Sequence, residues 1–244
     1  MSDFPDNVHV YANPDKLAAA LADRFVNCAQ TAITERGTFH VALAGGTTPK
    51  AAYALLAQEP RRTAVNWNDV FVFFGDERCV PPTDEASNYR MAMDTFLHAV
   101  NIPGHNVHRM RGEDEPAAAA RAYSQLLRED LGEPPRFDLI MLGMGPDGHT
   151  ASLFPGTDPL TDDAQLVRAP YVETAAMSRL TITPRVINAA RDVAIAAEGQ
   201  AKAAILAAVL RGVHDPTTYP IQIVAPLEGR LDWLVDAAAA SALT

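Results

Sequence analysis

The chain has 244 residues, 48% of them hydrophobic and 20% charged, which suits one large α/β domain or two small ones and argues against disorder. A formal net charge of −10 argues against a general affinity for nucleic acid or anionic membranes, although a small anion can still be held by local cations and helix N-termini. No apolar run approaches a membrane span, and the N-terminal stretch MSDFPDNVHVYANPD lacks the features of a secretion signal, so a cytoplasmic protein is expected.

Taken in order, Val8–Tyr11 is a short first strand, and Asn13-Pro14 opens a helix with Leu17, Leu21, Phe25 and Cys28 at three- and four-residue spacing. Residues 38–44 form a second strand that runs into Gly45-Gly46-Thr47-Thr48-Pro49. There Thr48 is expected as N-cap and Pro49 as the first helical position. The third strand, Val70–Phe74, ends in Gly75-Asp76-Glu77-Arg78, and a helix follows from Ser87 through Met91, Phe96 and Leu97. A brief strand is expected near Val107, and residues 113–131, rich in alanine, read as helix.

Residues 137–142 are an apolar run, broken only by Asp138, that stops at Gly143, the pattern of a strand buried on both faces. The loop GMGPDGHTASLFPG (residues 143–156) follows, and Asp162-Asp163 falls in a polar turn beyond it. Residues 167–172 are a weaker strand candidate. Residues 179–183 alternate, with Leu180 and Ile182 on one face, before Thr183-Pro184 repeats the helix-start pattern. Asp192–Ala197 is another buried strand, leading through Glu198-Gly199-Gln200-Ala201-Lys202 into a helix that ends near Leu210. Residues 221–224 and 231–235 are the last expected strands. The alternation predicts an α/β fold with a mainly parallel, Rossmann-like open sheet, helices on both faces and one domain over residues 1–244. Such a sheet gathers its Gly-rich and charged loops at one edge.

Several of those loops carry candidate chemistry. Gly143, Gly145 and Gly148 satisfy GxGxxG, but no helix opens at the third glycine and Pro155-Gly156 interrupts, so a dinucleotide site is not expected. The Gly45–Thr48 loop lacks the ending of a Walker loop. It is either a phosphate cradle at a helix N-terminus or a tight turn that needs glycine for geometry, and the hydroxyls of Thr47 and Thr48 favour an anion. Asp76 ends a buried strand abruptly, as a solvated charge or a site residue does. Arg179 and Lys202 begin a strand and a helix from which each reaches the same edge.

His149 is the sharpest candidate. An imidazole in a Gly-rich loop, two residues after the Asp147 carboxylate, suits proton abstraction from water, with Asp147 orienting it. Ser152 lies outside any nucleophile-elbow pattern, and the His105/His108 pair lacks the further ligands of a zinc site. Cys28 and Cys79 are read as small apolar residues rather than a disulfide.

Four segments, ALAGGTTPK (42–50), FFGDERCVPPTDEASNY (73–89), GMGPDGHTASLFPG (143–156) and RLTITPRVIN (179–188), together resemble the 6-phosphogluconolactonases. The related glucosamine-6-phosphate deaminases/isomerases share the Gly-rich loop, the Asp after the third strand and a DGH triplet, and form the alternative reading. In those relatives DGH leads to a run containing a catalytic Glu, whereas here it leads to Thr150-Ala151-Ser152-Leu153-Phe154-Pro155, which favours the lactonase. The resemblance implies hydrolysis of 6-phospho-D-glucono-1,5-lactone in the pentose phosphate pathway, with no metal and no organic cofactor. It implies His149 as general base with Asp147 beside it. Gly45, Gly46, Thr47, Arg179 and Lys202 would hold the phosphate, and Asp76 and Arg78 would line the sugar pocket. A small-molecule sugar phosphate is the expected partner of a monomer or weak homo-oligomer, with no nucleic acid or membrane.

Overall fold

In the computed structural model, which describes residues 5–157, 160 and 164–243, the apolar runs pair side by side. The strands are β1 (Val8–Tyr11), β2 (Phe39–Leu43), β3 (Val70–Phe74), β4 (Asp76–Arg78) and β5 (Leu139–Gly143). They continue with β6 (Val167–Arg168), β7 (Tyr171–Val172), β8 (Met177–Ile182), β9 (Asp192–Ala197) and β10 (Arg230–Asp236). The helices are α1 (Pro14–Arg36), α2 (Thr47–Leu56), α3 (Arg61–Ala64), α4 (Asn88–Ala92), α5 (Pro116–Leu131), α6 (Pro184–Ala189) and α7 (Ala203–Arg211).

Six strands, in the order β1-β10-β9-β5-β2-β3, form one sheet in which every pairing is parallel. Its apolar faces are covered on both sides. One core gathers Leu17, Leu21 and Phe25 of α1 with Tyr53, Leu56, Trp67 and Phe96. The other gathers Tyr123 and Leu127 of α5 with Val186, Ile187, Leu206 and Trp233. The first core is aromatic: Phe25 meets Phe39 edge-on at 5.2 Å and Trp67 at 5.7 Å, contacts worth about 0.5–1.5 kcal/mol each beyond area burial. Asn13 caps α1 by accepting from the Lys16 N–H at 3.0 Å.

The chain leaves β2 toward β3 and leaves β5 toward β9, in opposite directions across the sheet. The switch point between the neighbours β2 and β5 therefore opens a crevice at their carboxyl ends, where open α/β sheets bind ligands.

Four expectations from the sequence are corrected. Asp76-Glu77-Arg78 is not a simple strand end: it forms β4, which pairs antiparallel with β8 in a second small sheet, β4-β8-β6, with β7 also on β8. Both faces of β8 are therefore covered toward its end, and Thr181 and Thr183 are as buried as Leu180 and Ile182. Residues 221–224 are not a strand. Pro220 starts a 3-10 turn there, and the Ile221 N–H donates to the Gly148 carbonyl at 2.9 Å; four residues are too few for their pattern to fix a strand. α2 begins at Thr47 with Gly46 as N-cap at φ 99°, so Thr48 and Pro49 lie inside the first turn. Thr183 does stand at the N-cap of α6, but its hydroxyl donates to the Gln165 carbonyl instead of capping.

Residues 167–172 divide into β6 and β7, and the helix from Ser87 passes from α4 into a π turn, Met93–Leu97. Val107 makes an isolated parallel bridge to Val72. Cys28 and Cys79 are both free. The polar turn at Asp162 and Asp163 lies outside the described residues. Among the described residues no helix is long and apolar enough to cross a membrane.

Candidate active site

The loops that follow β2, β3, β5 and β9 surround a cleft of 420 Å³, within the size range of small-molecule sites. Gly45, Gly46, Thr47, Asp76, Arg78, His149, Arg179 and Lys202 all line it. Asp147 does not line the cleft; it stands behind His149, with Oδ1 2.5 Å from the imidazole Nδ1 and 3.1 Å from the His149 backbone N. A carboxylate only accepts, so Nδ1 carries the hydrogen in this contact. Burial raises the proton affinity of Asp147, but the His149 N–H and imidazole outweigh it and hold the carboxyl below its ordinary range.

The loop is built to present this pair. Gly145 donates its N–H to the His149 carbonyl at 2.8 Å, and the Thr150 hydroxyl donates to the Gly143 carbonyl at 2.8 Å, which closes the loop on itself. A Cβ at Gly145 would lie 2.1 Å from His149 Nδ1, so only glycine lets the ring fold back over its own loop. Phe154, which also lines the cleft, stacks on the ring at 4.1 Å and restrains its plane.

Opposite, the first turn of α2 offers the N–H groups of Thr47 and Thr48; Pro49 has none. With the helix dipole they make a ready anion site. Lys202 lies in the turn before α7, where burial pulls its pKa down against the attraction of Asp147. Arg78 and Arg179 face each other as register partners across β4 and β8. Burial first, and then the neighbouring Arg78 charge, lowers the pKa of Arg179. Both guanidinium Nε atoms are buried without a hydrogen-bond partner. Two like charges held side by side with unused donors are suited to an anion.

Asp76 is buried, and both of its carboxylate oxygens are engaged. Oδ2 accepts from the Ser152 hydroxyl at 2.6 Å and Oδ1 from the Asn88 amide at 3.0 Å. Ser152 is thus a partner of Asp76 inside the cleft wall. Asn88, Glu198 and Phe154 also line the cleft and carried no signal of their own in the sequence. The spacing from Asp76 to Asn88 acquires meaning only when the intervening loop folds back. Away from the cleft, His108 stacks flat on Phe73 at 4.5 Å, a packing role. Among the described residues no cluster of three or more His, Cys, Asp or Glu is arranged to hold a metal ion.

The chain as a whole is similar to known proteins of one family. The profile of the family described as glucosamine-6-phosphate isomerases/6-phosphogluconolactonase matches residues 12–233. A 6-phosphogluconolactonase of Nostoc sp. is 37% identical over 242 residues, covering 97% of this chain and 98% of the relative. One from Synechocystis sp. is 40% identical over 225 residues, covering 88% and 91%. The solved structure of 6-phosphogluconolactonase from Trypanosoma brucei superposes with a TM-score of 0.86 at 29% identity, covering 99% of this chain and all of that one. A monomeric glucosamine-6-phosphate deaminase shares the fold at TM-score 0.83 and 20% identity, covering 97% and 99%.

Proposed function

The chain belongs to the glucosamine-6-phosphate isomerase/6-phosphogluconolactonase family, and from that membership we propose that it hydrolyses 6-phospho-D-glucono-1,5-lactone to 6-phosphogluconate, a step of the pentose phosphate pathway. In this reading residues 1–244 act as one catalytic domain, with a sugar phosphate as the small-molecule partner. The observation that carries it is the His149–Asp147 pair facing a helix N-terminus and three cations across one cleft.

His149 Nε2 takes a proton from water as the water oxygen bonds to the lactone carbonyl carbon. The tetrahedral intermediate then collapses with cleavage of the bond to the ring oxygen, which receives the proton back from the imidazolium. Asp147 keeps the proton on Nδ1 and stabilises the imidazolium while it exists. The phosphate rests on the Gly45-Gly46-Thr47 turn with Lys202 and Arg179. Arg78 and Asp76 border the ring. Binding energy from the remote phosphate orients the carbonyl against the base, and a lactone, with a leaving group tethered in the ring, needs little more than positioning and one base.

The deciding experiment is a coupled or pH-stat assay on freshly prepared lactone, corrected for spontaneous hydrolysis, with glucosamine 6-phosphate run in parallel. Lactone turnover without ammonia release is the expected result. Ammonia release or ketose formation from glucosamine 6-phosphate would overturn it in favour of the deaminase/isomerase chemistry of the same family.

A further inference from the structure

Asn88 touches more of the cleft than any role assigned above explains. Its carboxamide Nδ2 donates to both the Asp76 carbonyl, at 2.9 Å, and Asp76 Oδ1, at 3.0 Å. Its Oδ1 lies so close to Gly45 that a Cβ built there would fall 2.1 Å away. The phosphate-side loop therefore packs directly on the Asn88 amide. Through Asp76 the connection continues, because the Ser152 hydroxyl holds the other carboxylate oxygen at 2.6 Å and the Ser152 N–H donates to Thr181 Oγ1 at 3.1 Å. Ser152 lies three residues after His149. The backbone of Asn88 is itself clamped: the buried Glu77 carboxylate accepts the N–H groups of Asn88 at 2.7 Å and Tyr89 at 2.9 Å, and the Ser87 hydroxyl at 3.0 Å.

A buried amide joined on one side to the phosphate-side turn and on the other, through one carboxylate, to the base-bearing loop acts as a spacer between them. We infer that Asn88 is a positioning residue that sets the distance between the Gly45–Thr47 turn and the His149 loop, so that phosphate binding is converted into alignment of the lactone carbonyl with the base. The inference rests on the lactonase reading of the site. Its physical content is specific. Interdigitated buried contacts leave little slack, and a misplacement on the order of 1 Å between a binding group and a reacting group lowers rate by about 10²-fold. A shift of register harms only a substrate that spans both loops.

The test therefore compares two substrates, 6-phospho-D-glucono-1,5-lactone and unphosphorylated D-glucono-1,5-lactone, in the intact chain and in Asn88→Ala and Asn88→Asp. The intact chain is expected to turn over the phosphorylated lactone far faster. In both variants the ratio of kcat/KM for the phosphorylated to the unphosphorylated lactone should fall at least about 10-fold, carried by kcat, while the Kd for 6-phosphogluconate changes less than about threefold. Equal losses on both lactones, with the ratio preserved, would overturn the inference and leave Asn88 as packing. A loss of 6-phosphogluconate affinity with kcat intact would overturn it too, making Asn88 part of the phosphate site. Should neither Asn88 variant fold, Ser152→Ala breaks the same chain at its other joint. A reduced ratio there supports the spacer, and an unchanged ratio overturns it. No turnover of the phosphorylated lactone by the intact chain would instead refute the functional reading, a result visible before any variant is made.

Discussion

The two ends of the parallel sheet handle charge in opposite ways. At the amino ends of β9 and β10 and just before β5, three buried or nearly buried carboxylates are surrounded by partners. Asp192 takes Arg24 at 2.5 Å, and Asp232 takes Arg24 at 2.9 Å, Arg230 at 2.5 Å and His9 at 3.0 Å. Asp138 takes Arg36 at 3.0 Å, Arg191 at 3.4 Å and the His40 N–H at 2.8 Å. At the carboxyl ends the cations converge instead: Arg78 faces Arg179, each with a buried Nε that has no partner, and Lys202 shares the cleft. One edge pairs its carboxylates with nearby arginines. The other gathers cations with unused donors, an arrangement suited to an anion. The excess of facing cations over free carboxylates marks the end suited to an anion; the number of arginines does not, since both ends are rich in arginine.

Substitutions break this contrast in a graded way. His149→Ala should reduce lactone turnover by about 10³- to 10⁴-fold with little change in 6-phosphogluconate affinity or in melting temperature, measured by the corrected assay, titration calorimetry and thermal unfolding. Near-normal turnover would remove His149 from the role of base. Asp138→Ala, at the opposite end, should do the reverse. It leaves the His40 N–H without its acceptor and takes one partner from the partly exposed Arg36 and Arg191, and should lower unfolding free energy by about 1–3 kcal/mol in urea titrations, with kcat per folded molecule unchanged. Arg179→Met should weaken phosphate recognition, raising KM by about 10- to 100-fold. It should also slightly stabilise the empty protein, because it removes one of two facing like charges; a destabilised variant would contradict that account.

The smallest effect is on pH dependence. Burial alone would raise the pKa of Asp138, but the His40 contacts and the Arg36 charge bring it below the ordinary value of 3.8. A carboxylate depressed on folding stabilises fully above its unfolded pKa, and that stabilisation is lost as pH falls through the folded value. Acid unfolding curves of the intact chain and of Asp138→Asn should therefore converge below about pH 4 and separate above it. Curves that stay parallel through this range would assign the acid sensitivity to other groups.

Much of this arrangement is legible in the sequence because it is local. The runs Val70–Phe74 and Val193–Ala197 are apolar throughout because both faces of a parallel sheet are covered, and a loop of Gly, Asp and His after such a strand places Asp147 and His149 two residues apart wherever the chain goes. Where the reading failed, the competing interaction was distant. Residues 221–224 form a turn because Ile221 bonds to Gly148, and Asp76-Glu77-Arg78 became a strand because β8 returned beside it.

The sequence by itself thus determined the layered α/β fold and the pairing of His149 with Asp147, since periodicity, strand ends and short spacings depend on neighbours along the chain. Only the tertiary structure decided that Asn88 meets Gly45 and Asp76, that Ser152 holds the same carboxylate, and that Arg78 faces Arg179. Those contacts join residues from separate strands and loops, and hydrogen bonding between them is set by where a parallel sheet brings its carboxyl ends together. No local pattern encodes that distance.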